Sequence, residues 1–278
     1  MIDASARRRF DEEGYFVARG LFDAGEAAFW RDHFTRLREA GAYDGDVVGV
    51  DPTSDDPLKK YPRMIHMHRW DQVALDWLLE PRLAGSLTTL LGGLEPFAVQ
   101  TMLYFKPPGA RGQAAHQDQY YLRVKPGTCI AAWMALDRCD EENGCLEVLP
   151  GSQDWPVLCT IPADTTQSFT DVTVPLPDRV ELVPVIMEPG DVLFFNGSLV
   201  HGSKPNRSDR FRRSLVGHYV EGDARECSLW YHPALRLDGT TVELEQNEGG
   251  GPCGEWVEVD GTPGIELTGY SVDPRMTE

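Results

Sequence analysis

From about residue 95 onward the chain is a succession of short β-prone runs cut by turn signals. They read "PFAVQTMLYFK", "PPGARG", "AAHQDQYYLRV", "KPG", "TCIAAWMAL", and later "RVELVPVIM", "EPGD", "VLFFNGSLVHG" and "RRSLVGHYVEG". Runs of this length bounded by Gly and Pro are strands. Many evenly spaced strands in one stretch restrict the outcome to a sandwich or barrel. Between them, "DRCDEENGCLEVLPGS" carries Asn143-Gly144, the pair expected in a type I′ hairpin turn, where both central residues need positive φ.

The first third reads differently. In "DAGEAAFWRDHFTRLREAG", Asp23 and Glu26 form a capping box, Trp30, Phe34 and Leu37 make one buried stripe, and Gly41 ends the helix. Residues 72 to 92 read as helical turns broken near Pro81. The expected fold is mainly β: a double-stranded β-helix (jelly roll, cupin-like) with an N-terminal helical layer. The layer spans about 1–92, the jelly-roll core about 95–222, and an irregular tail at 233–278 drapes over the barrel. No repeat, low-complexity tract or linker divides the chain, so residues 1–278 are expected to form a single domain.

Charge narrows the partners. With 26 basic against 44 acidic residues and a formal charge of -18, the chain is a poor match for nucleic acid or an anionic membrane. A small neutral or cationic molecule is the expected partner; the oligomeric state is not legible. The opening "MIDASARRRFDEEGYF" lacks the apolar core of a signal peptide, and runs such as "CIAAWMAL" are too short to span a bilayer, so a cytoplasmic location is expected. The six cysteines, at 129, 139, 145, 159, 227 and 253, contain no C-x-x-C pair and are expected to be reduced, buried thiols.

The chemistry starts at "HQD". On an extended chain His116 and Asp118 would point to one face, presenting an imidazole and a carboxylate together. His201, at the end of "DVLFFNGSLVHG", is far enough downstream for the barrel to fold back and complete a set of two His and one carboxylate. That set holds non-heme Fe(II) on one face and leaves the other open. Eleven residues later, "FRRSLVGHY" places Arg212 and Ser214 on one face of a strand and Arg213 on the other. A guanidinium fork with a hydroxyl beside it matches the distal carboxylate of a 2-oxo diacid chelating that metal.

These motifs, in this order, resemble the phytanoyl-CoA dioxygenase family of Fe(II)/2-oxoglutarate oxygenases, which includes ectoine hydroxylase. The resemblance rests on "HQD" at 116–118, "ENGCLEVLPGS" from 142, "EPGDVLFFNGSLVHGSKPN" from 188 and "FRRS" at 211–214, with a fainter match in "RRFDEEGYFVARGLF". It implies that His116, Asp118 and His201 are iron ligands. It also implies that Arg212 binds the C5 carboxylate of 2-oxoglutarate with Ser214 in support, and that Gln100 reaches the active site. The implied cofactors are Fe(II), 2-oxoglutarate as cosubstrate, and O2. Gln153 stands where family members commonly have His. Asp118 is present where halogenating relatives carry a small residue, so halogenation is not expected.

Further residues carry weaker expectations. Trp133 either walls the 2-oxoglutarate pocket or belongs to the core, and His218 either approaches the cofactor or is a hydrogen-bonded barrel histidine. Gln119, Tyr120, Tyr121 and Arg123 follow the ligands and are expected to shape the substrate entrance. His66 and His68 in "MIHMHRWD" lie in what resembles the family's substrate-covering segment, and are expected to contact substrate rather than metal. The expected activity is oxidation, most simply hydroxylation, of a C–H bond in a small polar metabolite of specialised biosynthesis. Desaturation, oxidative cyclisation and epimerisation start from the same hydrogen abstraction. The alternatives are a cupin-like metal enzyme that uses no 2-oxoglutarate and a non-catalytic jelly-roll module that binds sugars.

Overall fold

The computed structural model describes residues 2–270 apart from 44, 179, 260 and 261. Two sheets face each other. In the larger, the strands follow the order Tyr15–Ala18, Val192–Asn196, Cys129–Ala135, Arg212–Val220, Phe97–Lys106, Ala234–Leu235 and Thr241–Val242, with Met64–Ile65 also paired to Phe97–Lys106. The smaller runs Gln113–His116, His201–Ser203, Leu146–Val148, Val183–Pro184. All these pairings are antiparallel, as a jelly roll requires.

The strand Cys129–Ala135 shows how the layers are made. All seven residues are buried. Ile130, Ala132 and Met134 join the core beneath the helices with Trp30, Phe34, Trp77 and Leu87, whereas Ala131, Trp133 and Ala135 join the core between the sheets with Met102, Phe195 and Val216. The period of two is intact, but both faces are covered, so the sequence shows one apolar run instead of an alternation. The helices that cover the outer face are Ala4–Glu13, Ala24–Glu39, Gln72–Leu78 and Pro81–Leu90. Asp23 and Glu26 close the capping box, Trp30 and Phe34 are buried, and Pro81 opens the last helix at a position where its missing N–H costs nothing.

Three expectations fail here. At Asn143-Gly144 only Gly144 has positive φ. Asn143 is fully buried; its amide donates to the Arg138 carbonyl at 2.7 Å and its oxygen accepts the Asp140 N–H at 2.9 Å. The loop is therefore stapled by a side chain, and no type I′ turn forms. The tail is not irregular throughout: Ala234–Leu235 and Thr241–Val242 extend the large sheet, and Pro252–Val259 pairs with Thr262–Tyr270 as a hairpin. Residues 271–278 of that tail lie outside the described residues. Finally, Cys159 and Cys253 form a disulfide with Cα atoms 4.9 Å apart, while Cys129, Cys139, Cys145 and Cys227 are buried free thiols. The partners are 94 residues apart, a separation that carries no local signal.

The bond fixes the hairpin to the segment after Trp155. Cys159 N–H donates to the Gly254 carbonyl, Gly254 N–H to the Val157 carbonyl, and the Trp256 indole to the Pro175 carbonyl at 2.9 Å. No helix among the described residues is long and apolar enough to cross a membrane.

Candidate active site

Between the sheets lies a cavity of about 670 Å³. The large sheet contributes Gln100, Met102, Tyr104, Trp133, Phe195, Val216 and His218, and the small sheet Gln113, His116, Leu146 and His201. His116 ends its strand and His201 begins the antiparallel neighbour, directly opposite in register, with ring centroids 4.1 Å apart. Asp118 joins them by a route the sequence did not indicate. Its backbone is helical, φ −63° and ψ −30°, at the start of the single turn Gln119–Leu122. The chain turns after His116, and the turn, not the pleat, brings the carboxylate back beside the imidazoles.

Asp118 Oδ1 lies 3.6 Å from His116 Nε2 and 3.7 Å from His201 Nε2, and one donor atom from each residue falls within 4.8 Å of the others. Each imidazole is held from behind: Nδ1–H of His116 donates to the Ala114 carbonyl at 2.9 Å, and that of His201 to the Leu199 carbonyl at 3.0 Å. Those bonds select the tautomer with an Nε2 lone pair facing the carboxylate. The lone pair of His116 accepts the Gln113 amide at 3.0 Å. Burial, reinforced by neighbouring His116, pushes His201 down to about 4, leaving it neutral at physiological pH. Burial alone would raise Asp118, yet the carboxyl is held well below its usual range, with His218 Nε2–H donating to Oδ2 at 3.1 Å. Two imidazoles that present Nε2 lone pairs, beside an ionised carboxylate, can hold a divalent cation.

Deeper in, Arg212 is 4% exposed, and its Nη1 donates to Ser214 Oγ at 3.1 Å. Among the described residues its buried Nε has no partner, and no carboxylate lies within 4.0 Å. Burial pulls the guanidinium down from its ordinary value. Its carbon sits 5.3 Å from the centre of the Trp133 ring. Neither Arg212 nor Ser214 lines the cavity itself; Trp133, and Tyr104 opposite Ser214 in register, form the adjoining wall. Arg213 points the other way, to Asp137 at 2.7 and 3.0 Å.

Comparison with known proteins assigns the chain. The phytanoyl-CoA dioxygenase family model matches residues 10–214, most of the sequence. Phytanoyl-CoA dioxygenase 1 of Oryza sativa subsp. japonica is 33% identical over 253 residues, covering 80% of this chain and 90% of its own length. The chain belongs to the phytanoyl-CoA dioxygenase family. It is therefore a member of a dioxygenase family, with Phytanoyl-CoA dioxygenase, peroxisomal, of Bos taurus a further relative at 26% identity over 89% of this chain and 75% of the relative. Among solved structures, EctD from S. alaskensis, crystallised with 2-oxoglutarate and 5-hydroxyectoine, is 26% identical with a TM-score of 0.64, covering 81% of this chain and 78% of its own. EvdO2 from Micromonospora carbonacea var. aurantiaca, at 22% identity and TM-score 0.64, covers 80% and 91% and shares the fold.

This family member departs from its sequence reading at several positions. Gln100, Trp133, Tyr120 and Tyr121 line the cavity, but Gln119 does not. The Gln119 amide donates to the Val124 carbonyl at 2.8 Å and its oxygen accepts from Thr128, so it braces the loop after the short helical turn. His66 and His68 are buried but lie outside the lining. His68 is held on Thr101, and the His66 ring packs 5.3 Å from Trp230 and 6.4 Å from Tyr231, which do line the cavity. Arg63, Phe169, Thr170, Asp171, Trp230 and Tyr231 also line the wall and escaped sequence reading, because they come from loops and short turns without periodicity. The aromatic pair in "CSLWYHP" was the one available signal.

Proposed function

We propose that this chain is an Fe(II)/2-oxoglutarate-dependent oxygenase, with iron held by His116, Asp118 and His201 and the C5 carboxylate of 2-oxoglutarate held by Arg212 and Ser214. The supporting observation is Arg212: a buried guanidinium without a carboxylate is unfavourable unless an anion completes it. A sugar-binding module, or a cupin-like enzyme without a 2-oxo acid, has no use for that arrangement.

The metal and cosubstrate, when bound, would supply the oxidising power drawn from O2 and from decarboxylation to succinate. The chain's own part is geometric. His116 and His201 offer Nε2 lone pairs fixed by their Nδ1 bonds, Asp118 adds negative charge, and Arg212 with Ser214 would anchor the far carboxylate of the cosubstrate. Trp133, Phe195 and Val216 keep water from that junction. The substrate would enter past Tyr120, Tyr121, Trp230 and the segment Phe169–Val172.

We place the substrate among small polar metabolites, neutral or cationic, with hydroxylation as the reaction. The carboxylate of Asp171 in the wall supports a cationic or hydroxyl-bearing group, with Arg63 in the same wall as its counterweight. The proposal includes a cytoplasmic location. In that compartment Cys159 and Cys253 would be largely reduced, which alkylation and mass spectrometry of the native protein reads directly. The test of function is an anaerobic titration with Fe(II) followed by 2-oxoglutarate. A visible charge-transfer band in the native protein, absent in Asp118→Ala, is expected. Iron binding without any such band would overturn the use of a 2-oxo acid.

A further inference from the structure

Asp118 has two oxygens with different surroundings. Oδ1 faces His116 Nε2 and His201 Nε2, whereas Oδ2 lies 3.1 Å from Nε2 of His218. His218 sits on Arg212–Val220, opposite Gln100 on one side and Ala131 on the other, in the middle of the large sheet. Its backbone is thus fixed by two neighbouring strands, and its ring reaches across to the other side of the site. An ionised carboxylate only accepts, so Nε2–H of His218 is the donor. The other ring nitrogen, Nδ1, is buried without a partner among the described residues.

Nothing else among the described residues restrains Oδ2. Asp118 occupies the N-cap position of the Gln119–Leu122 turn, yet its side chain makes no capping bond. A carboxylate with both oxygens free near a divalent cation can bind through one or through both. Two-oxygen binding would consume a position on the metal. A metal held by three protein donors would keep its remaining positions for a chelating 2-oxo acid and O2.

The geometry points to His218 as a positioning residue that keeps Asp118 a one-oxygen ligand by holding Oδ2, and so reserves the position O2 requires. This rests on the proposed assignment of His116, Asp118 and His201 as iron donors. His218 acts through Asp118 and needs no contact with the metal. The role requires a donor at this place, not an imidazole as such, which separates it from packing: Gln can supply an N–H here, and Phe keeps the ring volume without one.

The test uses the full-length protein titrated anaerobically with Fe(II) and then 2-oxoglutarate. His218→Phe is expected to weaken Fe(II) binding by about 10-fold or more and to weaken or displace the charge-transfer band. His218→Gln is expected to restore both toward the native values. A native Fe(II) Kd and a native band in His218→Phe would overturn the inference. Should that variant not fold, X-ray absorption on the native Fe(II)-loaded protein decides: one carboxylate oxygen bound to iron supports the role, and two oxygens overturn it. Absence of the band in the native protein would instead fault the cosubstrate assignment on which this rests.

Discussion

Arg212 and Arg213 are neighbours in the chain that face opposite ways: Arg213 closes a two-point ion pair with Asp137, while the buried Arg212 side chain has only Ser214 as a hydrogen-bond partner among the described residues. The alternation of the strand thus assigns one guanidinium to architecture and the other to a ligand.

The two arginines should therefore separate stability from binding. Arg213→Ala strands the partly buried Asp137 carboxylate and should lower unfolding free energy by about 1–3 kcal/mol, with the cosubstrate response unchanged. Arg212→Ala should leave the unliganded fold as stable or more so, and raise the apparent KM for 2-oxoglutarate by at least about 10-fold. Urea unfolding and succinate formation measure the two effects. Equal behaviour of both variants would contradict the assignment.

The close approach at Gly112 predicts a second outcome. A Cβ there would collide with the Ser203 carbonyl oxygen, where the small sheet brings the first strand against the one that starts at His201. The obstacle is the backbone of Ser203 and Lys204, which cannot swing away as a side chain could. Gly112→Ala should destabilise the protein by about 2 kcal/mol or more and weaken Fe(II) binding with it, because it disturbs the pairing that sets His201 opposite His116. Thermal unfolding with and without Fe(II) checks both parts.

Stability should fall on mild acidification. Burial lowers His66 to about 3 and His68 to about 4, in each case with Arg69 contributing second. Both are neutral in the fold and take up protons in the unfolded chain, whose value is about 6.5. Their neutral forms favour the fold fully above that value. The contribution is lost as pH falls, until about 4 for His68 and about 3 for His66. Between pH 7.5 and pH 4.5 the loss should be about 1–3 kcal/mol for each. Replacing both by Gln should flatten that slope in urea unfolding; an unchanged slope would show that the titration lies elsewhere.

The disulfide gives a fourth prediction. Cys253→Ser should lower the unfolding free energy by about 2–4 kcal/mol under oxidising conditions. Dithiothreitol should do the same to the native protein and nothing further to the variant. Identical melting of native and variant proteins without thiol would contradict a stabilising role.

The sequence made the donor types legible because few residues can form such a set, yet the reason first assigned to the His116-Asp118 spacing does not hold: Asp118 reaches the imidazoles through a helical turn. The barrel was legible from turn punctuation, since Gly and Pro act locally. The cavity wall was not. Phe169–Val172 and Trp230–Tyr231 are placed by contacts with distant parts of the chain, such as the Ser168 hydroxyl on the Ala114 N–H and the Ser228 N–H on the Leu122 carbonyl, for which no periodicity exists. His66 and His68 misled for the opposite reason: their spacing is that of a site, but His66 is buried against Trp230 and Tyr231 and His68 is held on Thr101, both outside the cavity lining.

The bridge between Cys159 and Cys253 closes a covalent ring that contains His201, Arg212 and His218 and leaves His116 and Asp118 outside it. A protease nick in an exposed loop within that ring, for example beside Asp209, would not release a fragment. The two pieces would stay tethered and migrate at full mass until a thiol is added. An intact band on a gel run without reductant is thus no proof of an unbroken chain. The same tether lets the two halves of the site be supplied as separate polypeptides that remain joined.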